Sequence, residues 1–243
     1  MEWRDEGILI STRQHGEGSA IIEVFTRDHG RHAGLVRGGG ARRMAPLLQP
    51  GAQISVEWRA RLEEHLGSYT VHPIRSRAAD ILADRGALAT LGSMMSLIAL
   101  ALPEREAHTW LYNRTIALAD TLGTSPTWPA LYVTWEKALI EEMGFGLDLS
   151  ECAATGSTQD LIYVSPKTGR AVSRIAGAEW ADKLLPLPNF LKMDEATGNE
   201  TGDDLRAGFR TTGYFLANWM CPALGREKLP AARSRLETAF ARL

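Results

Sequence analysis

The first third of the chain alternates apolar and polar residues over short runs, and glycines separate these runs. An alternation with a period of two is typical of β-strands that bury one face. Ile54, Val56 and Trp58 alternate in this way. The pattern predicts five strands, over Gly7–Ser11, Ser19–Thr26, Arg31–Val36, Gln53–Arg59 and His65–Val71.

Five short strands with glycines at their bends favour a small closed barrel such as an OB-fold. From about Ile74 the period changes, and apolar residues recur at the three- and four-residue spacing of helices. The sequence therefore predicts an α+β protein: a five-stranded OB-fold barrel over residues 1–75, followed by a mainly α-helical domain over residues 76–243. Its first helices are predicted over Gly86–Leu102, His108–Thr121 and Trp128–Met143.

The rest of the helical domain is interrupted by a small β-hairpin. Residues 145–178 are irregular, but Leu161–Ser165 and Ala171–Ser173 read as two strands joined across a Pro-Lys-Thr-Gly turn. A short helix is predicted over Glu179–Leu184. A longer helix is predicted to begin at the acidic pair Asp203-Asp204, and a terminal helix to span about Ala231–Arg242.

Composition limits the classes of function. With 27 Lys and Arg against 29 Asp and Glu, the formal net charge is -2, so binding to a polyanion must use a local cationic patch. Only two cysteines occur and no C-x-x-C pair, which disfavours a disulfide framework or a zinc site. Acidic residues stand where a secretory leader needs cations, and the uncharged run Gly86–Leu102 is short for a membrane span, so we expect a cytoplasmic, nucleoid-associated protein.

The candidate site is a glycine-rich loop that carries arginines. The span from Arg27 to Arg43 holds five arginines and one acidic residue, Asp28, and its Gly-Gly-Gly run lets the backbone approach a ligand closely. Guanidinium groups in such a setting suit nucleic-acid phosphates, while the alternative is a solvated, merely flexible loop. Beside Trp58, two further arginines resemble a base-stacking platform, although the alternation favours core packing for that tryptophan. The predicted DNA-binding residues are Arg27, Arg31, Arg37, Arg42, Arg43, Arg59 and Arg61.

The other charged residues and the search for catalytic motifs give weaker indications of function. Arg206, Arg210, Arg233 and Arg235 lie on predicted helices, where they either extend a cationic surface or simply solubilise an exposed face. The chain contains no P-loop, no dinucleotide-binding glycine motif, no His-Glu-x-x-His and no Gly-x-Ser-x-Gly elbow. We therefore expect no enzymatic activity, no cofactor and no metal.

Several motifs in a fixed order resemble the RecO family of bacterial recombination mediators. They are EGILIS, GEGSAIIEVFT, HGR, RGGGARR and LQP in the first part, and EMGFGLDLSECAATG, LIYVSPKTGRAVS, LPLPNFL and LPAARSRL in the second. Each motif is weak alone, but their order and spacing are specific and cover nearly the whole chain. The terminal motif is similar to α-proteobacterial members.

The resemblance implies a fold and a set of partners. It implies an OB-fold followed by a helical domain, and a mediator that binds single- and double-stranded DNA, anneals complementary strands and, with RecR, helps load RecA. It also implies binding to the C-terminal tail of single-stranded DNA-binding protein. Some members carry four zinc-binding cysteines in the region that corresponds to residues 145–178; this chain keeps only Cys152 there, so no zinc is expected. Arg42 and Arg43 correspond best to the family's basic barrel loop.

Two other functions remain open on the residues alone. The first is a non-catalytic adaptor whose barrel binds a protein partner, which the near-neutral charge supports. The second is a hydrolase with a dispersed site, which the missing motifs disfavour. We expect a monomer with no membrane association.

Overall fold

Five strands close into a barrel at the amino-terminal end of the chain. They are β1 (Glu2–His15), β2 (Ser19–Thr26), β3 (Gly30–Val36), β4 (Gln53–Arg59) and β5 (Ser68–Arg75). This computed structural model describes residues 1–240, except the side chains of residues 238 and 239. The order around the barrel is β1-β2-β3-β5-β4, with β4 returning to β1, which is the arrangement of an OB-fold. The predicted fold class is confirmed.

The first strand is longer than its apolar pattern predicts. Residues 2–8 of β1 pair with β4, and residues 7–15 pair with β2, with a register shift between Leu9 and Ser11. Its ends carry mainly exposed polar residues, so no alternation marks them in the sequence. The last strand begins at Ser68 rather than at His65, because Gly67 turns the chain with a φ of 65°.

Trp58 lies in the barrel core and not on its surface. Its side chain is buried together with Leu9, Ile22, Val24 and Ile54. The indole N–H donates a hydrogen bond of 3.0 Å to the carbonyl oxygen of Leu66. The core-packing interpretation of Trp58 is therefore confirmed.

Three helices complete the first of two compact units, Met1–Thr124 and Ser125–Leu243. They are α1 (Ala78–Ala83), α2 (Arg85–Ala101) and α3 (Thr109–Thr121). The Asp84 carboxylate caps α2 by accepting a hydrogen bond of 2.7 Å from the backbone N–H of Gly86. Much of α2 is buried as predicted. Across the described residues, no helix is long and apolar enough to cross a membrane.

Arg77 joins strand, loop and helix within this first unit. Its guanidinium is buried; it donates to the Asp120 carboxylate from Nε at 2.6 Å and to the Gln53 side-chain oxygen at 3.0 Å. It also donates to the carbonyl oxygen of Gly51 at 3.3 Å. Since a buried cation needs such partners, Arg77 is a structural residue. No motif or periodicity in the sequence marks this arginine.

The second unit combines helices with a three-stranded sheet. The sheet contains β6 (Leu161–Val164), β7 (Ala171–Ser173) and β8 (Leu185–Pro186) in the order β7-β6-β8, and the predicted hairpin forms β6 and β7. The predicted helix Glu179–Leu184 is wrong in position: a helical turn comes earlier, at Arg174–Gly177, with a 3₁₀ turn at Ala178–Trp180. The chain must then be extended, because Leu185 pairs with Val164.

The helices and strands of the second unit, in chain order, are α4 (Trp128–Glu142), β6 (Leu161–Val164), β7 (Ala171–Ser173), α5 (Arg174–Gly177), β8 (Leu185–Pro186), α6 (Asn189–Met193), α7 (Gly202–Phe215), α8 (Cys221–Ala223) and α9 (Ala231–Phe240).

Arg233 neither extends a cationic surface nor solubilises the second unit, because it is only 2% exposed. Its guanidinium pairs with the buried Glu136 carboxylate, with an Nε–Oε1 distance of 3.0 Å and an Nη2–Oε2 distance of 3.1 Å. The hydroxyls of Tyr132 and Thr212 donate to the same carboxylate, each at 2.6 Å. This network is satisfied on both sides, so its role is structural. Residues 241–242 of the predicted terminal helix lie outside the described residues.

Candidate nucleic-acid interface

The segment between β3 and β4, residues 37–52, is an ordered loop that packs on one end of the barrel. The Gly40 N–H donates to the carbonyl oxygen of Gly18 at 3.3 Å, which ties the loop to the turn between β1 and β2. The Thr12 hydroxyl donates to the carbonyl oxygen of Leu48 at 2.9 Å. Met44 and Leu47 pack against the barrel core. The loop is therefore held at several points rather than merely solvated.

The glycine run allows this close packing. Gly38 has a φ of 73°, in the left-handed region that favours glycine. A Cβ on Gly39 would lie 2.9 Å from the Cβ of Ala20 and 3.0 Å from the carbonyl oxygen of Val36. A side chain at this position would therefore push the loop away from β2.

Three of the predicted arginines share this loop. Arg37, Arg42 and Arg43 are exposed, and none forms an ion pair with a carboxylate of the described residues. Arg13 is also exposed at this end, because β1 continues past the Thr12 side chain that binds the loop. No sequence pattern marks Arg13, since this residue lies beyond the predicted end of the strand at Ser11. The loop surface, defined by Arg13, Arg37, Arg42 and Arg43, therefore presents unneutralised guanidinium groups.

The other four predicted arginines lie outside this loop: Arg27 and Arg31 flank the start of β3, and Arg59 and Arg61 lie at the end of β4 and just after it. Strand β3 begins beside the Arg27 turn and ends at Val36, and its six steps of about 3.3 Å separate the start of this strand from the start of the loop by ~20 Å. Arg27 lies 3.8 Å from the Asp28 carboxylate, and Arg59 lies 2.9 Å from that of Glu2. Arg61 is exposed in the turn after β4. The structure thus divides the predicted set into an unpaired group and a largely paired group.

Arg31 is held inside the first unit. Its guanidinium contacts the Glu23 carboxylate and lies 3.8 Å from that of Glu104. It also donates a hydrogen bond of 2.8 Å to the carbonyl oxygen of Leu102, and its side chain is 17% exposed. These contacts tie β3 to the segment after α2. The geometry favours a structural role for Arg31 over contact with a ligand.

The second unit contains an apolar groove beside α7 and α9 with a volume of about 610 Å³. Phe209, Tyr214 and Leu229 contribute its apolar lining. Arg210 and Lys183 stand at the groove as exposed cations, whereas Arg206 pairs with Asp203 at 2.6 Å. The carboxylates of Asp182 and Glu237 also line it.

The region of residues 145–178 is held by hydrogen bonds around Cys152. Burial opposes ionisation of this thiol, but hydrogen bonds from Ser173 and Thr155 outweigh it and lower the pKa of Cys152 to about 6. The Ser173 N–H lies 3.3 Å from the sulfur. Arg170 joins the Asp148 and Glu151 carboxylates at 3.2 and 3.1 Å. Within the described part of the chain, no group of three or more metal-ligating side chains is assembled.

Comparisons with known proteins agree over the whole chain. Residues 1–77 match the family described as Recombination protein O N terminal, and residues 82–220 match Recombination protein O C terminal. The chain is 55% identical over 242 residues to the DNA repair protein RecO of a Ruegeria species, covering 100% of this chain and 99% of that relative. It is 56% identical over 242 residues to the DNA repair protein RecO of a Jannaschia species, covering 100% and 97%. These matches confirm the resemblance of the sequence motifs, and the chain belongs to the RecO family of DNA repair proteins.

Proposed function

We propose that this chain is a non-catalytic recombination mediator that binds single- and double-stranded DNA through its loop surface and anneals complementary strands. One observation supports this most directly: the exposed guanidinium groups of Arg37, Arg42 and Arg43 have no carboxylate partner in the described residues, on a loop that the barrel holds in place. Membership of a DNA repair family supports the choice of DNA as the polyanion.

The physical basis of annealing is charge neutralisation. Two strands repel each other through their phosphates, and bound arginines release counterions and lower that repulsion. Phosphate contacts carry no sequence information, which suits a protein that must accept any complementary pair. Arg27, Arg59 and Arg61 extend this contact more weakly, because two of them already hold carboxylates. Arg31 is left out of the proposed contact set.

The proposed partners follow from the family. RecR binding would couple DNA held on the barrel to the loading of RecA. Of the two carboxylates that line the apolar groove in the second unit, that of Glu237 already lies 3.9 Å from the Arg233 guanidinium. The exposed cations Arg210 and Lys183 therefore outnumber the remaining carboxylate, Asp182, and the groove suits a short acidic peptide that ends in a bulky apolar residue. We assign this groove to the C-terminal tail of single-stranded DNA-binding protein. We therefore propose that the protein acts in the cytoplasm, associated with the nucleoid.

The loop is tested by reversing its charge. In Arg42→Glu/Arg43→Glu, we expect affinity for a single-stranded oligonucleotide at low salt to fall about tenfold or more. The slope of log K against log salt should become shallower by about 1.4, or about 0.7 for each lost phosphate contact. A matched control, Arg226→Glu/Lys228→Glu, makes the same charge change at two exposed cations outside the first unit that, like the loop arginines, form no ion pair with a carboxylate of the described residues.

Fluorescence anisotropy across a salt series measures both quantities. An affinity and a slope that match those of the control variant would remove the loop from the mechanism. No binding of the unaltered protein to any oligonucleotide, even at low salt, would instead favour the adaptor function.

A further inference from the structure

A stack of three aromatic rings lies at the barrel end opposite the loop surface. The His29 and Trp3 rings are parallel within 8°, with their centroids 4.1 Å apart. The Trp3 and Trp58 rings are inclined by 19°, with their centroids 5.6 Å apart. Trp58 anchors this stack from the barrel core, while Trp3 and His29 are partly exposed.

The outer ring of the stack is fixed by a buried carboxylate. Asp5, whose side chain is 3% exposed, lies 3.0 Å from His29 Nδ1. The same carboxylate accepts backbone hydrogen bonds from Asp28 at 2.8 Å and from His29 at 3.2 Å. The turn between β2 and β3 is therefore tied to β1, and the His29 ring is oriented in advance of any ligand.

This stack lines an open cleft of about 340 Å³. The volume falls in the range of small-molecule sites, which combine apolar walls with a few polar groups. Arg105 supplies one such group: its guanidinium donates to the carbonyl oxygen of His65 at 3.1 Å. The lining residues are Met1, Glu2, Trp3, Asp28, His29, His32, Trp58, Glu63 and Arg105.

The charges around the cleft largely cancel. The carboxylates of Glu2 and Asp28 already hold arginines, and the Arg105 guanidinium offsets the charge of the remaining lining carboxylate, Glu63. Burial lowers the pKa of His32 to about 4, so this ring is neutral at pH 7. A neutral planar ligand with polar edges therefore fits better than a phosphate or a lysine side chain.

We propose that this cleft binds one unstacked nucleobase of a single strand, which adds its ring to the stack of His29, Trp3 and Trp58. The proposal rests on the proposed DNA-binding function and goes beyond it, because the loop surface contacts phosphates and the cleft contacts a base. Bases stack on aromatic side chains with little sequence preference. A base inside a duplex is already stacked, so the cleft makes the protein distinguish single strands from duplex.

The test compares two single strands that carry identical phosphates: a thymidine oligonucleotide and an abasic oligonucleotide of the same length. Their affinities are measured with the full-length protein. Base stacking predicts that the unaltered protein binds the thymidine strand about fivefold or more tightly than the abasic one. In His29→Ala that ratio should fall toward one, and in His29→Phe, which keeps a ring for stacking, it should be largely retained.

The loop variant Arg42→Glu/Arg43→Glu separates the two sites. It should weaken binding of both strands by the same factor and leave their ratio unchanged. A ratio that stays the same in His29→Ala and in Trp3→Leu would overturn the base-binding cleft while the proposed function stands. If neither strand binds the unaltered protein, the proposed function fails and the cleft proposal fails with it.

A second readout addresses the competing ligand class. Thymidine should quench the tryptophan fluorescence of the full-length protein, and Trp3→Leu should lose that response. Quenching by N-acetylarginine amide without quenching by thymidine would assign the cleft to a cationic peptide side chain and overturn the proposal.

Discussion

At the scale of single residues, burial and pairing decide what a charged side chain does in this protein. Arg31 lies in β3, and Arg37 directly follows that strand. Two carboxylates surround the Arg31 guanidinium, whereas Arg37 is exposed and has no carboxylate partner in the described part of the chain. His32 shows the same dependence for an imidazole. It is 3% exposed and lies edge-on to Trp58, with ring centroids 4.8 Å apart. This buried environment disfavours the protonated ring and lowers the pKa of His32.

His32 should make the first unit less stable in acid. Burial is the main cause that lowers its pKa from 6.5 to about 4, and the Arg105 charge adds to it against the opposing hydrogen bond to Ala33. The unfolded chain therefore binds more protons between these two pH values, so stability is lost as the pH falls from about 6.5 toward 4. By pH 5 this group should cost about 2 kcal/mol relative to pH 7.5.

Denaturant unfolding of the unaltered protein and of His32→Gln at both pH values measures this cost. The difference in unfolding free energy between the two proteins should change by that amount, because glutamine does not titrate. Parallel pH profiles for the two proteins would contradict the assignment, as would an NMR titration that places the His32 pKa near 6.5.

At the scale of elements, the barrel closes at a narrow contact between β3 and β5. One parallel bridge joins Leu35 to Ser68, and the Leu35 N–H donates to the carbonyl oxygen of Gly67 at 3.1 Å. The Tyr69 ring packs over Gly34, where an added Cβ would lie 2.4 Å from the ring. Glycine in the middle of β3 is thus required by a close approach and not by a turn.

Gly34→Ala should therefore destabilise the protein by about 1–3 kcal/mol, the usual cost of overpacking a core. Gly92→Ala is the matched control: it lies inside α2, and an added Cβ there meets nothing within 4 Å. Since alanine favours a helix over glycine, this control should be stabilising by up to about 1 kcal/mol. Thermal unfolding compares the two; equal effects of the same sign would contradict the argument.

At the scale of the whole molecule, the boundary between the two compact units differs from the domain boundary that the sequence predicts. The sequence predicts a barrel domain over residues 1–75, and that boundary remains a prediction. The first compact unit runs to Thr124 and includes the Arg77–Asp120 pair and the ring contact between Phe25 and Tyr112. The barrel alone therefore lacks partners that it uses in the native chain.

The fragment 1–124 should fold cooperatively, whereas the fragment 1–77 should be less stable by about 3 kcal/mol or more. The shorter fragment lacks the Asp120 partner of Arg77 and exposes apolar surface, such as the side of the Phe25 ring that contacts Tyr112 in the native chain. Circular dichroism melts of both fragments measure the difference. A shorter fragment that melts like the longer one would support independent folding of the barrel.

Much of the architecture was predictable because its signals are local. The two-residue alternation, the glycines between runs and the change to helical spacing each depend on neighbouring residues, and they yielded the barrel and the main helices. The short helix near residue 180 was misplaced because pairing of Leu185 with a distant strand overrides local propensity.

By itself, the sequence determined the OB-fold class, the family and an arginine-rich loop, since these lie in periodicity, composition and contiguous motifs. Only the tertiary structure decided which arginines are available. Glu104 reaches Arg31, and Glu136 reaches Arg233, across long stretches of chain. The tertiary structure also assembled the stack of His29, Trp3 and Trp58, which no contiguous motif encodes. The physical reason is that burial, ion pairing and ring stacking depend on which distant residues meet.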